Sequence, residues 1–403
     1  MTKIQTKNCK NCEKKFEITE EDQVFYNKIF VPAPTFCPDC RLQRRLAFRN
    51  ERILYKRDCD LCGKSMVTIY YKDAPFPVYC TKCWYGNKWD GVEYGHDYDF
   101  NKQFFEQWND LMNKVPKINL MNVNSVNSDY CNMCKDNKNC YLSFGGDGNE
   151  EVLYSTYAMN CKNAIDVYID IKSEFSYNVL DSNNCFKLNF SQNCEFCIES
   201  YFLLDCRNCQ NCFGCIGLRN KSYNIFNKQY SKEEYFEKIK EFDLGSFSSL
   251  KKAKQDFEKQ KLKYPHKFAN INHSKDIIGN NVTYSNNCKN CFDVNKGAEN
   301  CKFLFNCGWD GKYIKDSYDM SPSGWNVELY YEGTSIGFNI NKVFCSNIIW
   351  TGMDIIYSYY CESSSNLFGC VGLKNKQYCI LNKQYSKKEY EELAPKIIEH
   401  MGG

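Results

Sequence analysis

The feature that most constrains this chain is that part of it occurs twice. Residues 213–235, FGCIGLRNKSYNIFNKQYSKEEY, match residues 368–390, FGCVGLKNKQYCILNKQYSKKEY, at 17 of 23 positions with a constant offset of 155. Cys206 and Cys361 keep that offset, as do Cys215 and Cys370, and Cys131-x-x-Cys134 corresponds more loosely to Cys288-x-x-Cys291. Two related halves therefore share one architecture. Inside each half Asn-Cys dipeptides recur, at 139/140, 160/161, 184/185, 193/194, 208/209 and 211/212, then at 287/288, 290/291, 300/301 and 306/307. Cys140, Cys161, Cys185 and Cys206 stand 21, 24 and 21 residues apart. Between them lie short segments that read as alternating strands, such as IDVYIDI at 165–171 and FKLNF at 186–190. A rhythm of 21 to 24 residues with Asn, Asp, Gly and Ser at its breaks predicts a β-solenoid, parallel β-helix-like.

Residue usage fits that reading. Asn tolerates the left-handed backbone conformation that tight corners need, and the chain has 45 of them. Small Cys side chains can stack inside superimposed coils, and between residues 117 and 394 the only prolines are Pro265 and Pro322. Cys206, Cys209, Cys212 and Cys215 form a CxxCxxCxxC run of the kind that can hold an iron-sulfur cluster. At the offset of 155, however, Cys209 and Cys212 become Ser364 and Leu367, so a reduced sulfur stack is the expectation. Each half closes on a helix with a capping box, Ser231 with Glu234 and Ser386 with Glu389. A charged segment, about 246–263, reads as a solvated helix joining the halves.

The first 90 residues follow another rule. Four Cys-x-x-Cys pairs occur there: Cys9/Cys12, Cys37/Cys40, Cys59/Cys62 and Cys80/Cys83. Two residues between cysteines let one tight turn aim both sulfurs at one metal, and zinc prefers four such ligands in a tetrahedron. The simplest assignment is two Zn2+ ions, one held by the first two pairs and one by the last two, although alternate pairs could also cross-brace. A dithiol redox centre normally needs one pair on a βαβ scaffold rather than four pairs in series. The chain has 27 Cys in 403 residues, too long for a secreted disulfide miniature, with no signal peptide and no membrane-spanning apolar run, so a cytoplasmic location is expected.

Between the second and third pairs the charge is one-sided. Arg41, Arg44, Arg45, Arg49, Arg52, Lys56 and Arg57 face a single acid, Glu51. On one continuous helix Arg41, Arg45, Arg49, Arg52 and Lys56 would share a face, with Leu42, Leu46 and Ile53 beside it. Residues 1–90 carry 17 Lys and Arg against 11 Asp and Glu. This face is the expected nucleic-acid contact, RNA or a ribonucleoprotein being favoured, and neutralisation of the zinc thiolates is the competing use. Tyr70, Tyr71, Tyr79, Trp84, Tyr85 and Trp89 could stack bases but are more simply a local core. Asp99 is positioned to cap a helix carrying Phe104, Trp108, Met112 and Val115 and ending at Pro116.

These readings divide the chain into a double zinc-binding module (1–90), a connector with a helix (91–127), a first solenoid half with its capping helix (128–245), a charged helical linker (246–282) and a second half with its capping helix (283–403). The fold class is mainly β, a zinc-ribbon or treble-clef module followed by a duplicated solenoid. The segments FCPDCR (36–41), RNERILYKRDCDLCGK (49–64), PVYCTKCWYGNKWD (77–90) and the two duplicated stretches resemble a group of uncharacterised bacterial proteins with paired N-terminal zinc knuckles followed by Cys- and Asn-rich repeats. That resemblance implies zinc binding and a repeat domain, and carries over no catalytic residue. No phosphate loop, nucleophile elbow or His-Glu-x-x-His motif occurs. The functional expectation is a non-enzymatic zinc-binding adaptor with a protein partner along the solenoid. The alternatives are a purely structural interaction scaffold and a carbohydrate-active β-helix enzyme.

Overall fold

The computed structural model describes residues 4–308, 313–322, 324–335 and 337–402. The chain forms two compact units that interleave in sequence: residues 1–50, 73–117 and 267–403 make one, and residues 51–72 and 118–266 the other. The fold is mainly β, with solenoid coils from about residue 122 to 225 and from about 271 to 380.

In the second unit the coil is twelve residues long. Asn132 pairs in parallel with Phe144, Phe144 with Thr156, Thr156 with Tyr168, Tyr168 with Leu180, Leu180 with Gln192, Gln192 with Leu204 and Leu204 with Ile216. The 21- to 24-residue rhythm is thus not one coil, and 24 residues span two. Along this stretch every third residue has φ near +50°, from Met133, Asp136 and Asn139 through Asn208 and Asn211 to Asn220. Four three-residue sides therefore make each coil, with a left-handed corner between sides. The residue after each corner points inward: Cys134, Asn137, Cys140, Ser143 and Gly146 are all interior, and so on along the axis. An Asn-Cys dipeptide is accordingly a corner followed by an interior side chain. The alternating-strand reading of 165–171 is corrected by the same geometry. Ala164, Val167 and Asp170 face inward at a period of three, whereas Ile165 is exposed.

So narrow a coil admits only small interior groups. A Cβ on Gly146 would stand 1.9 Å from the Ala158 carbonyl oxygen. Interior Ser and Asn complete the backbone ladder from one coil to the next: Ser128 Oγ accepts from the Cys140 amide (3.0 Å), Ser200 Oγ from Cys212 (3.1 Å), and Asn149 Oδ1 from Cys161 (3.0 Å). Interior thiols donate to carbonyls, as Cys161 does to Asp170 (3.2 Å). At its C-terminal end the solenoid turns back through antiparallel strands Ser222–Ile225 and Lys228–Gln229 into a helix with the expected Ser231/Glu234 capping box.

The other unit repeats the plan less regularly. Coil steps are 12 residues at its C-terminal end (Ile340 to Gly352, Asn347 to Tyr359), but 13 from Val327 to Ile340 and 16 from Ala298 to Ile314. Larger residues fill its interior, including Leu304, Met320 and the fully buried Tyr330, whose hydroxyl donates to the Ser346 carbonyl (2.9 Å). The duplication is legible only where both halves keep the twelve-residue step. The last helix, Lys387–His400, opens on the Ser386/Glu389 box. The helix Phe104–Lys114 does not begin at Asp99. Its N-cap is Gln103, and Asp99 instead accepts from the Asn101 amide (2.9 Å) in the preceding turn. The linker helix Phe247–Lys261 buries only Ala253 and Phe257.

Candidate metal centres and the arginine clamp

The N-terminal module is built from a β-hairpin, β1 (Gln5–Asn8) with β2 (Lys15–Ile18), followed by helices α1 (Glu20–Lys28) and α2 (Pro38–Leu46). The hairpin loop carries Cys9 and Cys12. Its turn closes through the Cys9 amide on the Lys14 carbonyl (2.9 Å) and the Glu13 amide on the Cys9 carbonyl (2.9 Å). Cys37 is the N-cap of α2 and Cys40 lies in its first turn, where Pro38 presets the helical backbone and unpaired amides favour negative sulfur. A knuckle on a hairpin facing a helix N-terminus is the treble-clef arrangement. All four ligand atoms lie within 4.8 Å of one another.

Donors already point at these sulfurs. The Cys37 amide donates to Cys9 Sγ (3.2 Å), Asn11 Nδ2 donates to Cys40 Sγ (3.3 Å), and Cys12 and Cys37 sulfurs are 3.7 Å apart. Burial pushes the Cys9 thiol up, but amides of Cys37, Cys12 and Asn11 outweigh it and bring it down to about 6. Burial pushes Cys37 up. This donor set is the chemistry of a thiophilic metal ion, and the four residues could hold one. The second set has the same local parts. Cys59 and Cys62 follow β3 (Tyr55–Asp58), which pairs with β4 (Ser65–Thr68), and Gly63 takes the left-handed turn position (φ 71°) that Glu13 takes in the first knuckle (φ 63°). Cys80 caps the short helix α3 (Thr81–Trp84), and the ligand atoms of Cys59, Cys62, Cys80 and Cys83 lie within 4.8 Å of one another. The cysteines that could hold a metal thus group as sequential pairs, the first with the second and the third with the fourth.

The basic face is placed quite differently from the expectation. The helix ends at Leu46, and Lys56 and Arg57 lie on β3, so Arg41 to Lys56 do not share one helical face. Arg41 and Arg45 are 1% and 3% exposed. Arg41 Nε donates to Asp319 Oδ2 (2.9 Å) and Arg45 to Asp319 Oδ1 (2.8 Å), so one buried carboxylate holds both. A guanidinium so engaged cannot meet a phosphate without breaking that clamp. Arg44 pairs with Glu332, and Arg49 donates to Ser335 Oγ (2.7 Å). Arg57 donates to Asp60 (2.8 Å), while Arg52 and Lys56 are exposed. The acids that receive these arginines were not legible as partners, because they lie some 280 residues away on solenoid corners, Asp319 at φ 56° and Glu332 at φ 54°.

Other contacts tie the same module to the coils. Lys302 is buried and donates to Asp22 (2.6 Å), and Phe25 stacks on Tyr318 at 3.8 Å. The aromatics of the second knuckle pair are largely local core: Tyr79, Trp84 and Trp89 are buried, whereas Tyr71 and Tyr85 are exposed. Trp84, Tyr85 and Trp89 surround Lys374 Nζ at 4.4, 4.7 and 5.1 Å.

No protein-family profile matches this chain, and no curated protein matches its sequence. What the structure carries of the sequence resemblance is the layout alone, two four-cysteine sets near the N-terminus ahead of a β-solenoid. Among the described residues no helix is long and apolar enough to cross a membrane.

Proposed function

We propose that the protein is a non-enzymatic scaffold, with structural Zn2+ in its two four-cysteine sites and a solenoid flank that binds a protein partner. The observation that carries this reading over a nucleic-acid adaptor is the burial of Arg41 and Arg45 on Asp319, which commits these two arginines of the basic stretch to internal structure. The partner surface is supported by the outer wall of the 118–266 unit. There Tyr130, Tyr141 and Tyr154 stand exposed on successive coils and meet edge to face at 5.4 and 5.7 Å. Exposed contiguous aromatics of this kind suit a protein interface. The many thiols buried inside the coils suit a reducing compartment, and the cytoplasm is part of the proposal.

The test is co-purification from the native host with and without nuclease, using the wild-type chain and a Tyr141→Ser/Tyr154→Ser variant. A protein partner retained after nuclease and lost in the variant supports the reading. A ribonucleoprotein released by nuclease and indifferent to the tyrosines would overturn it in favour of nucleic-acid contact through Arg52 and Lys56, which remain exposed.

A further inference from the structure

Beside the arginine clamp, in the unit that contains α2, lies a cavity of 410 Å3. That is the size of a small-molecule site. One wall is aromatic, made by Phe48, Phe105, Trp108 and Tyr357, and Phe105 is 54% exposed at its mouth. The lining also includes Arg44, Arg45 and Glu332.

Two features define what such a site would take. The first is unspent hydrogen-bond donors. Trp108 and Arg45 line the cavity, and their Nε1 and Nε atoms are buried with no acceptor among the described residues, although the terminal nitrogens of Arg45 are engaged by Asp319 and Ser321. Buried N–H groups without an acceptor are uncommon, and a ligand acceptor would satisfy them. The second is charge. Arg41, Arg44 and Arg45 meet two carboxylates, Asp319 and Glu332, so within these ion pairs there are three positive charges against two negative. Burial also raises the Glu332 carboxyl, which adds to the positive balance.

We propose that this cavity binds a planar aromatic carboxylate, its ring against the edge-to-face pair of Phe105 and Tyr357 and its oxygens accepting from Trp108 Nε1 and the arginine edge. The inference goes beyond the scaffold reading and does not depend on it, since the lining residues belong to one compact unit and the tyrosine ladder to the other.

The probe is 2-naphthoate, titrated calorimetrically into the zinc-loaded full-length chain, with neutral 2-naphthamide as its comparison. Saturable binding at one site per chain is expected, with the amide about tenfold weaker because it lacks the charge. Trp108→Phe keeps the ring and removes the donor, and is expected to weaken naphthoate about tenfold. Phe105→Ala, at an exposed position that does not threaten the fold, is expected to weaken both compounds. Zinc content and circular dichroism of each variant establish that it is folded. No saturable binding of naphthoate, equal affinity for the amide, or binding untouched by both substitutions would each overturn the proposal. So would displacement of the naphthoate by an oligoproline peptide that binds more tightly, which would make the groove a polyproline site instead.

Discussion

Arg41 and Asp319, 278 residues apart, form an ion pair with both side chains withdrawn from solvent, at 2.9 Å between Nε and Oδ2. Burial lowers the Arg41 guanidinium, but the charge of Asp319 outweighs it and holds Arg41 above its ordinary value. The same carboxylate takes Arg45 through its other oxygen. The pair is what fastens the first four-cysteine module to the coils of its own unit.

Asp319→Asn therefore leaves two buried guanidinium groups facing a neutral amide. Removing one partner of a buried pair typically costs about 3–5 kcal/mol. Urea denaturation is expected to show a loss in that range, whereas Glu332→Gln, whose partner Arg44 is half-exposed, is expected to lose about 1 kcal/mol or less.

Metal removal acts on the module as a unit, because ligand-binding energy is folding energy in a site of this kind. Cys40→Ser is expected to lower bound zinc from two ions to one in native mass spectrometry. It should also abolish amide-exchange protection over residues 5–46, with protection retained in the coils between 132 and 216.

Asp170 is an interior residue whose Oδ1 accepts from Ser173 Oγ (2.6 Å) while Oδ2 has no hydrogen-bond partner among the described residues. Burial pushes its carboxyl up to about 7. A raised carboxyl means that the folded chain keeps a proton which the unfolded chain releases near pH 4, so stability falls as pH rises from about 4 to 7 and stays low above. Asp170→Asn is expected to match the wild type near pH 4 and to exceed it above pH 7, by up to about 4 kcal/mol. Equal melting temperatures of the two proteins at pH 8 would contradict this.

Lys117 gives the opposite sign. Its ammonium is buried 3.6 Å from Met112 Sδ and over the rings of Tyr359 and Phe76, with no carboxylate partner among the described residues. Burial lowers it to about 7. Here the unfolded chain holds the proton more tightly, so the penalty is complete below pH 7 and disappears as pH rises toward 10. Lys117→Met is expected to be more stable than the wild type at pH 6, by roughly 2–4 kcal/mol, and nearly equal to it at pH 10. Thermal melts at the two pH values check it.

How much of this was legible in the chain depended on distance along it. The cysteine sets were legible because each ligand pair is local, a turn or a helix start, and the capping boxes at Ser231 and Ser386 were legible for the same reason. The solenoid was legible as a class but not in its unit. IDVYIDI mimics a two-residue alternation, whereas the CxxCxxCxxC run at 206–215 already displays the three-residue side, read along one wall after another. The basic stretch was the misleading part. Positive charge at Arg41 and Arg45 was plain, but only the fold brings Asp319 to it, and nothing in local composition distinguishes a guanidinium reserved for a distant carboxylate from one offered to a phosphate.

The twelve-residue coil has a bearing on how such a chain can change over generations. Since orientation is set by position within a three-residue side, gain or loss of one whole coil by slippage in the coding sequence leaves every remaining side chain facing as before. Length is then nearly free to drift, and only off-grid insertions leave a mark. The 13- and 16-residue steps between Ala298 and Ile340 are marks of that kind. They fall in the coils from which Tyr318, Asp319 and Glu332 reach the cysteine module. The coils before them are off the grid too, with steps of 11 residues from Ile271 to Val282 and 13 from Asn286 to Glu299, so this unit has kept far less freedom to gain or lose a whole coil than the regular one.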